Sequence, residues 1–95
     1  MPEIYNLDKL IDVFLSLKSK EEYRLFLEDL CTIKELQEMA QRLETAVLLN
    51  NGESYLSIVD KVGTSTATIS RVNRCLLYGP GGYKIALNRV NSNDN

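Results

Sequence analysis

There is no histidine in the 95 residues. That removes Ser–His and Cys–His nucleophile pairs and histidine metal ligands. Cysteine is scarce. Cys31 and Cys75 stand apart without CxxC spacing, and they read as small core residues rather than nucleophiles. The chain lacks the disulfide staples of small secreted domains and opens on no signal peptide, so a reducing, cytoplasmic compartment is expected. No apolar run approaches transmembrane length. No alternation of period two persists, so strands are not expected. Paired carboxylates such as Glu21–Glu22 and Glu28–Asp29 read as solvated helix faces, and "GPGGYK" at 79–84 lacks the Walker spacing and reads as a turn. Neither an enzyme, a metal site nor a membrane segment is implied.

What is present is charge asymmetry. The net charge is −2, but residues 1–53 hold six Lys/Arg against eleven Asp/Glu, whereas residues 54–95 hold five against two. The first part carries −5 and the second +3. A local field, rather than the total, steers a polyanion.

The apolar spacing predicts an all-α chain of about six helices in one domain. Asn6 caps a first helix with Leu7, Leu10, Ile11, Phe14 and Leu15 on one stripe. Ser19 with Glu22, and Thr32 with Glu35, are capping-box pairs for a second and a long third helix. The third runs through Leu36, Met39, Ala40, Leu43, Ala46 and Val47 to Leu49, and "NNG" at 50–52 supplies a left-handed stop. Ser54 starts a fourth helix, which Gly63 ends. A fifth starts near Thr64 and runs to Gly79. Residues 83–90 add a short sixth, and the tail "NSNDN" is expected to be disordered. By role, residues 1–53 supply dimerisation and core, 54–79 a helix-turn-helix, and 80–95 the last helix and tail. The large apolar residues between 7 and 30 exceed what one small core needs, which points to a shared face in a homodimer.

The stretch "GTSTATISR" at 63–71 is the unusual one, with five hydroxyl residues among its first eight. One or two hydroxyls suffice to cap a helix. Ile58 and Val59 before Gly63, and Ile69 and Val72 after it, have the spacing of a helix-turn-helix. Ser65, Thr66, Ala67 and Ser70 then face outward at the start of the second helix, which enters the major groove in this motif. Short side chains allow close approach, hydroxyls bond phosphates or base edges, and Arg71 and Arg74 clamp the backbone. A plain, well-capped helical hairpin is the simpler alternative.

Residues 32–77 resemble the Trp repressor superfamily, and within it the bacterial YerC/YecD-type branch. The carriers are the threonine-started helix with Arg42, the Gly52 break and the run from Gly63 to Arg71. The resemblance implies an intertwined homodimer that reads double-stranded operator DNA as a transcriptional regulator, a repressor, with a small effector held between the third helix and the reading helix. It places Thr32, Arg42, Arg71, Val72 and Cys75 in that effector pocket. Val72 stands where the family has a glycine and Cys75 where it has a serine, so a small anion is expected there rather than tryptophan. The runner-up function is a dimeric protein–protein interaction module that keeps the fold without binding DNA.

Overall fold

A computed structural model describes residues 3–93. Among them there are six helices and no strands: α1 (Leu7–Ser16), α2 (Lys20–Leu30), α3 (Ile33–Asn50), α4 (Tyr55–Val62), α5 (Thr66–Tyr78) and α6 (Gly82–Asn93). No helix of the described residues is long and apolar enough to cross a membrane. The chain divides into two compact units, Met1–Leu36 and Gln37–Asn95, with the boundary inside α3.

The helix ends show why the chain breaks where it does. Ser19 accepts from the Glu22 amide at 3.1 Å, while the Glu22 carboxylate reaches one residue further back, to the Lys18 amide at 2.7 Å. Thr32 and Glu35 form the complete reciprocal box, at 3.1 and 2.8 Å. α3 ends in a Schellman motif. Gly52 sits at φ 85°, the Gly52 amide donates to the Leu49 carbonyl, and the Glu53 amide donates to the Leu48 carbonyl, both at 3.0 Å. Ser54 caps α4 through the Ser57 amide at 3.1 Å.

Two expectations fail at the chain's ends. Asn6 precedes α1, but it lies in the left-handed region at φ 51° and its side chain makes no capping bond. In that conformation the carboxamide does not reach the amides of the first turn. At the other end α6 runs through Asn93, so Asn91–Asn93 of the expected disordered tail are helical. The helix simply continues the turns begun at Gly82. Asp94 and Asn95 lie outside the described residues.

In the N-terminal unit an aromatic cluster ties α1 to α2. Phe14 stacks on Tyr23 at 6.2 Å between centroids and meets Phe26 edge-on at 5.5 Å. The Tyr23 hydroxyl donates to the Phe14 carbonyl at 2.8 Å. Yet neither helix contains a buried residue. Leu15, Leu25 and Leu30 are at least half exposed.

The second unit holds the core. Ala46, Val72 and Leu87 form its centre, with Val47, Leu49, Leu76 and Tyr83 packed around them. Ile58 and Ile69 are fully buried, one on each side of the Gly63 turn. Thr45 is buried too, and its hydroxyl donates to the Gln41 carbonyl at 2.7 Å, which satisfies it inside α3. After α5 the chain turns at Gly79, where any Cβ would lie 2.4 Å from the Cys75 carbonyl oxygen. Only glycine fits that approach.

Ile58→Ala and Ile69→Ala should each cost about 2–5 kcal/mol of unfolding free energy, because each leaves a cavity at a fully buried site. Leu56→Ala, at a residue 82% exposed, should change it by less than about 0.5 kcal/mol. Urea denaturation followed by circular dichroism separates the two cases.

Candidate nucleic-acid interface

Gly63 ends α4 in the left-handed conformation, φ 77°, and its amide donates to the Val59 carbonyl at 2.9 Å. Two residues later Ser65 caps α5. Its hydroxyl accepts from the Thr68 amide at 3.2 Å and donates to the Thr68 hydroxyl at 3.1 Å. Helix stop and helix start are thus separated by Gly63, Thr64 and Ser65 alone. α5 accordingly starts at Thr66 rather than near Thr64, because Ser65 holds extended backbone as the cap. With Ile58, Ile69 and Val72 turned into the core, α4 and α5 form the expected helix-turn-helix.

The six residues expected to face a duplex, Ser65, Thr66, Ala67, Ser70, Arg71 and Arg74, are all exposed. Their hydroxyls are not equivalent. Ser65 and Thr68 are engaged with each other at the cap, whereas the Thr66 and Ser70 hydroxyls make no hydrogen bond among the described residues. Two of the five hydroxyls noticed in the sequence therefore serve the cap, and Thr66 and Ser70 remain as exposed polar groups at the start of α5.

Of the residues assigned to an effector pocket, the four in the second unit do not all line one cleft. Arg42 and Arg71 line a single cleft of about 380 Å³, with Glu38, Gln41, Gly63, Thr64, Ser65 and Thr68. Val72 is 1% exposed and lies in the hydrophobic core. Cys75 lines a different, mainly apolar groove with Leu43, Pro80 and Tyr83. The physical reason is helical phase: Val72 follows Arg71 by 100° around α5, which turns it inward. Thr32 belongs to the N-terminal unit, where its hydroxyl caps α3. Glu38, Gln41 and Thr64 were not singled out from the sequence, although the i, i+3 and i+4 spacing of Glu38, Gln41 and Arg42 on one helix face was visible there.

The cleft carries two guanidiniums, Arg42 and Arg71, and one carboxylate, Glu38. Among the described residues the ion pair is Lys61 with Glu53, at 2.6 Å. Among the described residues neither Arg42 nor Arg71 has a carboxylate or other hydrogen-bond partner for its side chain.

The whole arrangement has known counterparts. The Trp repressor protein family matches residues 5–91. The chain belongs to the Trp repressor family. The uncharacterised protein YerC of Bacillus subtilis strain 168 is 55% identical over 84 residues, which cover 88% of this chain and 81% of that protein. A TrpR-like protein from Eubacterium eligens ATCC 27750, known from its crystal structure, superposes with a TM-score of 0.88 at 44% identity, covering 94% of this chain and 92% of the other. A Trp repressor-like structure from Staphylococcus aureus does so with a TM-score of 0.88 at 43% identity, covering 94% and 89%. The Trp repressor family is one of regulators, not enzymes.

Within this Trp repressor-like framework, the Glu53–Lys61 pair braces α4 from outside. Glu53 accepts from Lys61 and, at 3.0 Å, from the Ser57 hydroxyl. These two bonds, Lys61 first, hold its carboxyl below the ordinary 4.5. The Glu35 carboxyl is likewise lowered, chiefly by the Thr32 amide and then by the Thr32 hydroxyl. A carboxyl whose folded pKa is depressed adds stability above its unfolded value, and that stability is lost as pH falls through the folded value. The melting temperature should therefore fall below pH 4.5. Glu35→Gln and Glu53→Gln should each flatten that fall, and thermal melts between pH 3 and pH 7 read the difference.

Proposed function

We propose that the protein is a sequence-specific DNA-binding transcriptional regulator, a repressor, which reads the major groove with the first turns of α5 as a homodimer in the cytoplasm. One observation carries the reading. The helix-turn-helix leaves Thr66, Ala67, Ser70, Arg71 and Arg74 exposed on the outer face of its second helix, with the Thr66 and Ser70 hydroxyls uncommitted. Hydroxyls and a methyl at the helix start suit base edges, and the arginines that follow suit phosphates. Membership of the Trp repressor family supports it.

The dimer follows from the apolar surface left open. α1 and α2 contain no fully buried residue, and Met39 and Leu43 of α3 are also exposed. An apolar surface of this extent, on so small a chain, suits a second copy of the chain. The N-terminal helices are thus the dimerisation elements. Both cysteines are free thiols, which suits a reducing compartment. The cleft holding Arg42 and Arg71 is the effector site, and its ligand is a small anion rather than tryptophan.

Size-exclusion chromatography with light scattering should give a dimer at micromolar concentration, and a stable monomer there would remove the symmetric operator. Selection from random duplexes should enrich a palindrome with half-site centres about 34 Å apart. Thr66→Ala or Ser70→Ala should relax base choice, each costing about 1–3 kcal/mol where the hydroxyl meets a base edge, and Arg74→Ala should weaken all sequences alike while reducing the salt slope by about 1. If selection enriches nothing and any binding is insensitive to salt, the interaction-module reading replaces this one.

A further inference from the structure

Another cleft, to which neither α4 nor α5 contributes, lies between the end of α3 and one face of α6. Asn50, Lys84, Leu87, Asn88 and Asn91 line its volume of about 290 Å³. Leu87 is 6% exposed and packs in the core with Ala46 and Val72, which fixes the phase of α6. Lys84 and Asn88 are one turn apart on a shared face, and both are exposed. Folding accounts for Leu87 but not for Asn88. Asparagine is a poor helix former, favoured at caps and turns where its carboxamide bonds the backbone. Asn88 stands in mid-helix, and its carboxamide makes no hydrogen bond among the described residues. The Asn50 carboxamide makes none there either, and Lys84 has no carboxylate partner among them.

The lining selects the ligand chemistry. An ammonium calls for an anion, and no carboxylate in the lining competes for it. Asn50 is the last residue of α3, and a helix C-terminus carries partial negative charge. One negative charge on Lys84 is therefore better tolerated than two, and N–H donors suit that end of α3. A carboxamide offers an acceptor and a donor side by side. That is the match for a residue of extended chain, whose N–H and C=O point to the same side. The volume is at the small end of ligand sites, room for the end of a chain and not for a folded surface. We propose that this cleft takes the C-terminal end of a partner polypeptide in extended form, with its terminal carboxylate on Lys84 and its last backbone units on Asn88 and Asn50. Capture of a terminal carboxylate is a recurring mode of peptide recognition. The proposal does not rest on the DNA reading. Thr66, Ser70, Arg71 and Arg74 do not line the cleft, so duplex and polypeptide do not compete for a side chain.

Titration of the isotope-labelled full chain with the tripeptide acetyl-Ala-Ala-Ala, followed by two-dimensional NMR, tests the site, because this peptide presents only backbone and carboxylate. The side-chain amide signals of Asn50 and Asn88 should shift and saturate at millimolar peptide. The same tripeptide with an amidated C-terminus lacks the charge, and acetate lacks the backbone. Each should bind about tenfold more weakly, as the loss of one charge-assisted bond or of the carboxamide bonds requires. N-acetylalanine, which reaches a single carboxamide, should also bind more weakly than the tripeptide. Lys84→Gln should erase the difference between acid and amide. Asn88→Ala should weaken the tripeptide by about tenfold without lowering the melting temperature, since alanine is the better helix former. No shift at the two carboxamides, or equal binding of the amidated peptide or of acetate, would overturn the proposal. So would equal binding of N-acetylalanine, which would make the cleft a site for a small acyl amino acid. Indifference of the acid-to-amide ratio to Lys84→Gln, in a variant that melts like the wild type, would overturn the carboxylate assignment.

Discussion

Three residues of turn between two helices set the terms for everything functional in this chain. Gly63 takes a left-handed conformation that a side chain would resist, at a cost of roughly 1–2 kcal/mol, and lets α4 stop with its last amide bonded. Ser65 takes extended backbone and lets α5 start with the Thr68 amide bonded. No chain length is left over for α5 to swing away. The two fully buried isoleucines on either side, Ile58 and Ile69, then fix the rotation of α5 about its axis. That rotation decides which residues look outward.

The same rotation explains how one helix can serve two surfaces. Residues of α5 lie at 100° steps. Ile69 and Val72 turn into the core, Thr66, Ala67, Ser70 and Arg74 look out, and Arg71 looks out while also lining the cleft with Arg42. One guanidinium thus belongs to both surfaces.

The N-terminal helices show the opposite physics. Their contacts are local: an aromatic cluster, a tyrosine hydroxyl on a carbonyl and two capping residues. Together these fold the hairpin of α1 and α2 but remove little apolar surface from water. Leu15, Leu25 and Leu30 stay at least half exposed. Residues 1–53 are acidic and residues 54–95 basic.

Much of this was legible from sequence because it is governed by neighbours within four residues. Ser19, Thr32, Ser54, Gly52 and Gly63 mark helix ends through bonds that close over three to five positions, and the all-α class follows from the apolar period of the same segments. Local rules erred where a side chain had an alternative: Asn6 left its cap unmade, and Asn91–Asn93 stayed helical. Family resemblance placed Arg42 and Arg71 together, and they do line one cleft. It could not say that Val72 turns into the core, that Cys75 faces a separate groove, or that Glu38 and Gln41 complete the polar lining. Those facts depend on how α3, α5 and α6 rotate against one another in the packed unit. That rotation is set by the shapes of Ala46, Val72 and Leu87 meeting across three helices, and packing between residues so far apart in sequence leaves no local pattern in the chain.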